Sequence, residues 1–299
     1  MRQFIYRFSL VSLLLALAIG LLVAFNYWRT QSFIAKHQGG TIILGDSHAA
    51  TDIHPDILNA SNFAHTAEPL LATSQKLEWI TKKLHPDTIL LVLSPNNFAG
   101  YNDFKFSNSQ WSSEMAKRYY PLFPRSFWTQ HTDPITALGH SNRQQLLPNI
   151  SGRPAFLGKF TPKPIQSEKN DLQNTLNRHF NPDYPLISQP SEWAIEDIRK
   201  ICERKGVELL VVIAPLLPDY KSAIPGEVQQ LFNATTAKLK VIPVNIELAN
   251  SDYYNADHLN LNGAKSYSKA LQSALRKYCL LYTSPSPRDQ RGSRMPSSA

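Results

Sequence analysis

Short apolar runs alternate with amphipathic stretches along residues 41–278, and this alternation restricts the chain to few architectures. Thr41–Leu44, Asn62–Ala64, Thr88–Leu93, Val207–Ile213 and Val241–Val244 read as strands. Around them, Leu70–Leu84, Glu192–Lys205, Glu227–Lys238 and Asn262–Tyr278 carry helical periodicity, with Leu77, Trp79, Ile80 and Leu84 able to form one apolar stripe. Apolar strands joined by helices imply a mostly parallel sheet covered on both faces. The expected fold is a three-layer α/β/α sandwich with a mostly parallel central sheet.

The two ends lie outside that pattern. No charged residue falls between Phe8 and Trp28. At about 1.5 Å per helical residue, the run crosses a roughly 30 Å hydrocarbon layer, and Tyr27 and Trp28 suit its interface. Residues 1–29 read as an N-terminal transmembrane anchor. A cleavable signal is the rival reading, but the run is long for one and no small-x-small cleavage site follows it. Residues 279–299 turn abruptly to Ser, Pro and Arg. They read as translated read-through or a disordered tail, outside the fold.

The chain has 31 Lys and Arg against 23 Asp and Glu, a net charge of +8. Three of those charges sit in residues 1–29 and two in residues 279–299, so the body carries only +3. That balance, without a basic cluster, argues against nucleic acid as a partner. Cys202 is the one cysteine inside the body and reads as a small core residue. A disulfide framework is not expected, and no Cys/His spacing suggests structural zinc. The interval 98–190, rich in proline and aromatic residues, is too long for a simple connection. It reads as an insertion that covers the strand ends, binds substrate or partner, or buries a small core of its own.

Chemistry concentrates at three points. Gly45-Asp46-Ser47-His48 follows the first strand, where a tight turn presents a serine hydroxyl at the carboxyl end of a sheet. Ser94-Pro95-Asn96-Asn97 follows the Thr88–Leu93 strand and offers side-chain amide donors. Asp257-His258-Leu259-Asn260 supplies an imidazole that can take the serine proton and a carboxylate beside it. His48, His65 and Glu68 are secondary pocket candidates, each with a structural alternative, and Asp46 reads as a hydrogen-bond acceptor beneath the turn.

These three blocks resemble the SGNH, or GDSL-like, hydrolase superfamily, in particular its membrane-anchored bacterial envelope branches. The resemblance gives Ser47 the nucleophile role, His258 the general base, and Asn96 an oxyanion donor with Asn97 as runner-up. The family's Asp three residues before the histidine is Asn255 here, so Asp257 is the first choice as orienter and Asp252 the second. The family's second block offers a glycine, whereas Asn62–Glu68 contains none. The resemblance implies a serine esterase removing a small acyl group from an envelope glycan or related ester. Alternatives are an envelope O-acyltransferase working with a membrane-bound partner, and a catalytically degenerate binding or assembly protein. No metal, nucleotide or redox cofactor is implied. The expected location is a single-pass bacterial inner-membrane protein with its body, residues 30–278, on the periplasmic side.

Overall fold

In the computed structural model, which describes residues 1–131, 139, 147, 149–166 and 172–283, four strands form one all-parallel sheet in the order β2-β1-β3-β4. They are β1 (Thr41–Leu44), β2 (Ala60–Asn62), β3 (Thr88–Leu93) and β4 (Glu208–Ile213). Ile42 pairs with Ile89 and Leu90 with Leu210, placing the two most apolar strands at the sheet's centre. Ile42–Leu44 and Ile89–Leu93 are fully buried, as strands covered on both faces must be.

The chain order of helices is α1 (Arg2–Lys36), α2 (Ser47–Asp52), α3 (Pro55–Leu58), α4 (Leu70–Lys83), α5 (Tyr101–Ser107) and α6 (Ser109–Tyr119). There follow α7 (Arg125–His131), α8 (Leu172–His179), α9 (Gln189–Lys205), α10 (Pro218–Ser222), α11 (Gly226–Thr236) and α12 (Leu261–Thr283). Helix α4 packs on α9, and α12 packs on α2 and α3, giving helices on both sides of the sheet. The α/β sandwich expected from the sequence is present.

Several boundaries differ from expectation, three of them for a visible reason or by the widest margin. β2 ends at Asn62, two residues earlier than expected, because Asn62 turns its side chain onto Ala49 O and Ala64 N. Val241–Val244 is not a strand: Val241 forms a single parallel bridge to Val211 beside β4. Ile242 N reaches Val211 O, but Pro243 has no N–H to continue the ladder. Helix α12 runs on to Thr283, past the expected end at Tyr278; residues 284–299 of the expected tail lie outside the described residues.

Helix α1 is 35 residues, about 52 Å at 1.5 Å per residue. Its most apolar 18-residue window has a mean hydropathy of 2.7 and is wholly unburied, so it is long and apolar enough to cross a membrane. Its C-terminal turns instead touch the body. Phe33 and Ile34 are buried, the Arg29 guanidinium binds Ile150 O, and Arg153 stacks over Phe33 at 5.4 Å.

The insertion packs Phe106, Phe123, Phe127 and Trp128 ring against ring, and they are continuous with the core under the sheet, not a separate core. Ala99 bridges Ile187 to close its neck. It also reaches the carboxyl ends of the strands: Thr161 N donates to Ala50 O, and Leu261 N donates to Lys163 O.

Candidate active site

The turn after β1 is forced by its neighbour. Gly45 has φ +137, and a Cβ there would lie 2.7 Å from Val92 O of β3. Asp46 then caps α2. Its Oδ1 accepts from His48 N at 2.9 Å and lies 3.1 Å from His48 Nδ1. Its Oδ2 accepts from Asn97 Nδ2 at 2.7 Å, tying this turn to the 3-10 turn Pro95–Phe98 that follows β3. Ser47 is therefore the first residue of a helix at the carboxyl end of a central strand, partly exposed, where unpaired helical N–H groups favour negative charge.

The segment carrying His258 is held over the same helix. Asn255 Oδ1 accepts from the backbone N–H of Asp257 and His258 at 3.3 and 2.9 Å, which fixes a tight loop. Leu259 N donates to Asp52 Oδ1 at 3.1 Å, stitching that loop to the end of α2. The His258 and His48 rings lie 4.6 Å apart, centroid to centroid. His258 Nδ1 is 3.9 Å from Asp52 Oδ2, and Nε2 is 3.7 Å from Asp257 Oδ2. Both distances exceed a hydrogen bond. Among the described residues, Ser47 Oγ makes no hydrogen bond to His258.

Asp257, the carboxylate expected behind the His258 ring, does not stand at Nδ1. Asp257 lies toward Nε2, the nitrogen a serine would have to reach, and shares its Oδ2 with Arg178 at 3.4 Å and His179 at 3.7 Å. Asp252 accepts from Ala249 N at 3.0 Å and caps its own 3-10 turn. The carboxylate at Nδ1 is Asp52. His48 and Asp52 stand four residues apart on α2, a spacing that puts both on one face and was readable in the sequence. Arg178 and His179, carried in by α8 of the insertion, had no such local signal.

Asn96 is buried, with Oδ1 against Ser94 Oγ and Nδ2 3.3 Å from Tyr101 Oη, leaving one amide hydrogen uncommitted. Asn97 is engaged on both sides, by Asp46 and by Ser94 N. Where the family's second block would offer a glycine, Gly158 of the insertion lies against Ala64 and His65, but its N–H is taken by Phe63 O at 3.1 Å. His65 accepts from Arg118 at 3.0 Å, and Glu68 is locked to Lys76.

Charge in the site is dominated by carboxylates. Burial opposes a charged His48, but the charge and hydrogen bond of Asp46, helped by Asp52 and Asp257, outweigh it and raise its pKa to about 9. Burial likewise opposes a charged Asp257, yet His258, His179, His48 and Arg178 hold it down to about 2. His179 is pulled to about 3 by burial, only partly offset by Asp257. A hollow of about 1020 Å³ lies along the β4 edge among Ile213, Phe232, Val241 and Tyr267 and takes in none of Ser47, Asn96 and His258. Candidate chemistry sits beside that hollow, not inside it.

No family model matches the chain, and no curated protein matches it. Among solved structures it is similar to a provisional acylhydrolase of Bacteroides fragilis NCTC 9343, with TM-score 0.37 and 8% identity over 80% of this chain and 87% of that one. A likeness that distant transfers no residue roles, so the side chains themselves have to carry the chemistry.

Proposed function

We propose that the chain is a serine esterase acting on small acyl esters, with Ser47 as nucleophile and His258 as base. The observation that supports this is the stitch between Leu259 N and Asp52 Oδ1, which holds the His258 ring 4.6 Å from the ring next to Ser47 although 211 residues separate them in sequence. In the reaction, Ser47 Oγ bonds to the ester carbonyl carbon while its proton passes to His258 Nε2. That proton then goes to the leaving alkoxide as the C–O bond breaks, and water releases the acyl group by the reverse relay. The Ser47 N–H at the start of α2 and the remaining Asn96 amide hydrogen are the donors for the oxyanion.

Asp52 is the orienter in this reading, because it alone faces Nδ1 while Nε2 does the proton transfer. The 3.9 Å gap closes to hydrogen-bond length in the substrate complex, since apo sites are often loose in this way. The resemblance carried by the three blocks, together with the apolar α1, extends the proposal to an acylated envelope glycan met on the periplasmic face of the inner membrane. Hydrolysis of p-nitrophenyl acetate and of an acetylated glycan by full-length protein in detergent tests it. Release of acetate that falls at least 10³-fold in Ser47→Ala supports it; equal release by the variant overturns it. Acetate appearing on an added glycan acceptor in place of water would make the same site an acyltransferase.

A further inference from the structure

We infer that His48, Asp52 and His258 form a binding site for one first-row divalent cation, with zinc the best match to the donor set. No metal is expected from the residue spacing alone. Three observations converge on it. One donor atom from each of these residues lies within 4.8 Å of the other two. His48 and Asp52 are wholly buried and His258 is 7% exposed. Among the described residues, His48 Nε2, Asp52 Oδ2 and His258 Nδ1 each have no hydrogen-bond partner, although buried polar atoms almost always have one.

The surroundings are those of a metal site rather than of a strained core. Metal-bound imidazoles usually give their other nitrogen to a carboxylate, which fixes the ring and raises its basicity. His48 does this through Nδ1, 3.1 Å from Asp46, and His258 has Asp257 3.7 Å from Nε2. The nitrogen left over on each ring is one of the unpartnered atoms. The four-residue spacing of His48 and Asp52 on α2 is a recurrent way to present two ligands from one helix face. Two imidazoles and one carboxylate suit zinc, cobalt or nickel and not magnesium or calcium, and three protein ligands leave a position for water. Tetrahedral ligands at about 2.1 Å lie about 3.4 Å apart, so modest rotations would close the observed 3.9 Å between His258 Nδ1 and Asp52 Oδ2.

The cation would compete with the proposed ester chemistry, and this consequence alone rests on that reading. With Nδ1 on the metal, the ring keeps its proton on Nε2 toward Asp257 and cannot accept one from Ser47. Occupancy and His258 acting as base exclude each other.

The experiment is equilibrium dialysis of the full-length protein in detergent against Zn²⁺ or Mg²⁺, with metal counted by atomic absorption, and the visible spectrum of the Co²⁺-loaded protein. One zinc per chain is expected for wild type and for Ser47→Ala, with affinity at least tenfold weaker in Asp52→Asn and His48→Gln and no matching uptake of Mg²⁺. Asp52→Asn keeps the acceptor for Leu259 N, and a circular-dichroism spectrum matching wild type secures its fold. A zinc-dependent rise in the Tm of wild type, absent in both ligand variants, gives a second readout. Failure of wild type to retain zinc, or equal retention by both folded ligand variants, overturns the site. Ester turnover lost in Ser47→Ala without any zinc binding would sink the metal alone, and zinc binding by a protein that shows no turnover in its zinc-free form would sink the esterase alone. Zinc should also slow acylation of Ser47 in an active preparation; acylation unaffected at saturating zinc overturns the competition.

Discussion

Replacing Lys76 by Met isolates the ion pair that holds the loop before α4 to the insertion. Glu68 is 1% exposed and accepts from Thr73 Oγ1 at 2.6 Å, Lys76 Nζ at 2.7 Å and Tyr119 Oη at 2.8 Å. Lys76, itself fully buried, also donates to Phe63 O at 2.7 Å. Burial pushes Glu68 up and Lys76 down, and the charge and hydrogen bond of each partner oppose that shift in the other. Lys76→Met leaves a carboxylate and a carbonyl without a cation in a dry site, a change worth about 3–5 kcal/mol. In Lys76→Met/Glu68→Gln no charge is stranded, and the Gln carbonyl accepts from one of the Thr73 and Tyr119 hydroxyls while its NH2 faces the other, whose oxygen can accept. The double variant should recover at least about 2 kcal/mol of the loss. Urea unfolding of the detergent-solubilised full chain, followed by tryptophan fluorescence, measures both. The pH dependence has a definite sign. With the lysine gone, Glu68 in the folded state holds its proton to a higher pH than in the unfolded chain, so the deficit of Lys76→Met should shrink as pH falls. A loss under about 1 kcal/mol for Lys76→Met, with no recovery in the double variant, would refute the reasoning and return Glu68 to the pool of substrate-contacting candidates.

Three further perturbations follow from the site and its frame. Gly45→Ala, at φ +137 and facing Val92 O, should cost upwards of about 2 kcal/mol in urea unfolding and lower Ser47 reactivity; a neutral variant would contradict the strained turn. His65 must stay neutral to accept from Arg118, and burial, then Arg118 and Lys76, hold its pKa at about 3. Since the unfolded histidine protonates near 6.5, stability should fall as pH drops below that value, by at most about 1.4 kcal/mol per unit, and His65→Gln should remove that slope. An unchanged slope in the variant counts against it. Asp52→Asn should slow ester hydrolysis by up to about 10⁴-fold, as loss of a triad carboxylate does, while Asp257→Asn should cost less than about tenfold; the reverse order would restore Asp257 as orienter.

What the sequence made legible was local. Gly45–His48, Ser94–Asn97 and Asp257–Asn260 announce themselves because each follows a strand or a turn whose type is written in consecutive residues. The parallel sheet was readable from β1 and β3, whose unbroken apolar runs leave no solvent face. What stayed hidden depends on distance or on a single missing group. Pro243 removes one N–H and with it a strand that β-propensity favoured. Asp52 stayed hidden because its tie to the His258 loop runs through the backbone of Leu259, 207 residues away in sequence. Arg178 and His179 meet Asp257 only because the insertion folds back over the strand ends. The docking of Phe33 and Ile34 on the body was likewise invisible in a helix that reads as uniformly apolar up to Trp28.

The central claim is that Ser47 is an activated nucleophile served by His258. Intact-protein mass spectrometry of the full-length chain after treatment with a fluorophosphonate tests it most directly. The account predicts one adduct per chain, mapped to Ser47 and absent in both Ser47→Ala and His258→Ala. A folded, zinc-free wild type that takes up no adduct, or one whose adduct survives in His258→Ala, would contradict it.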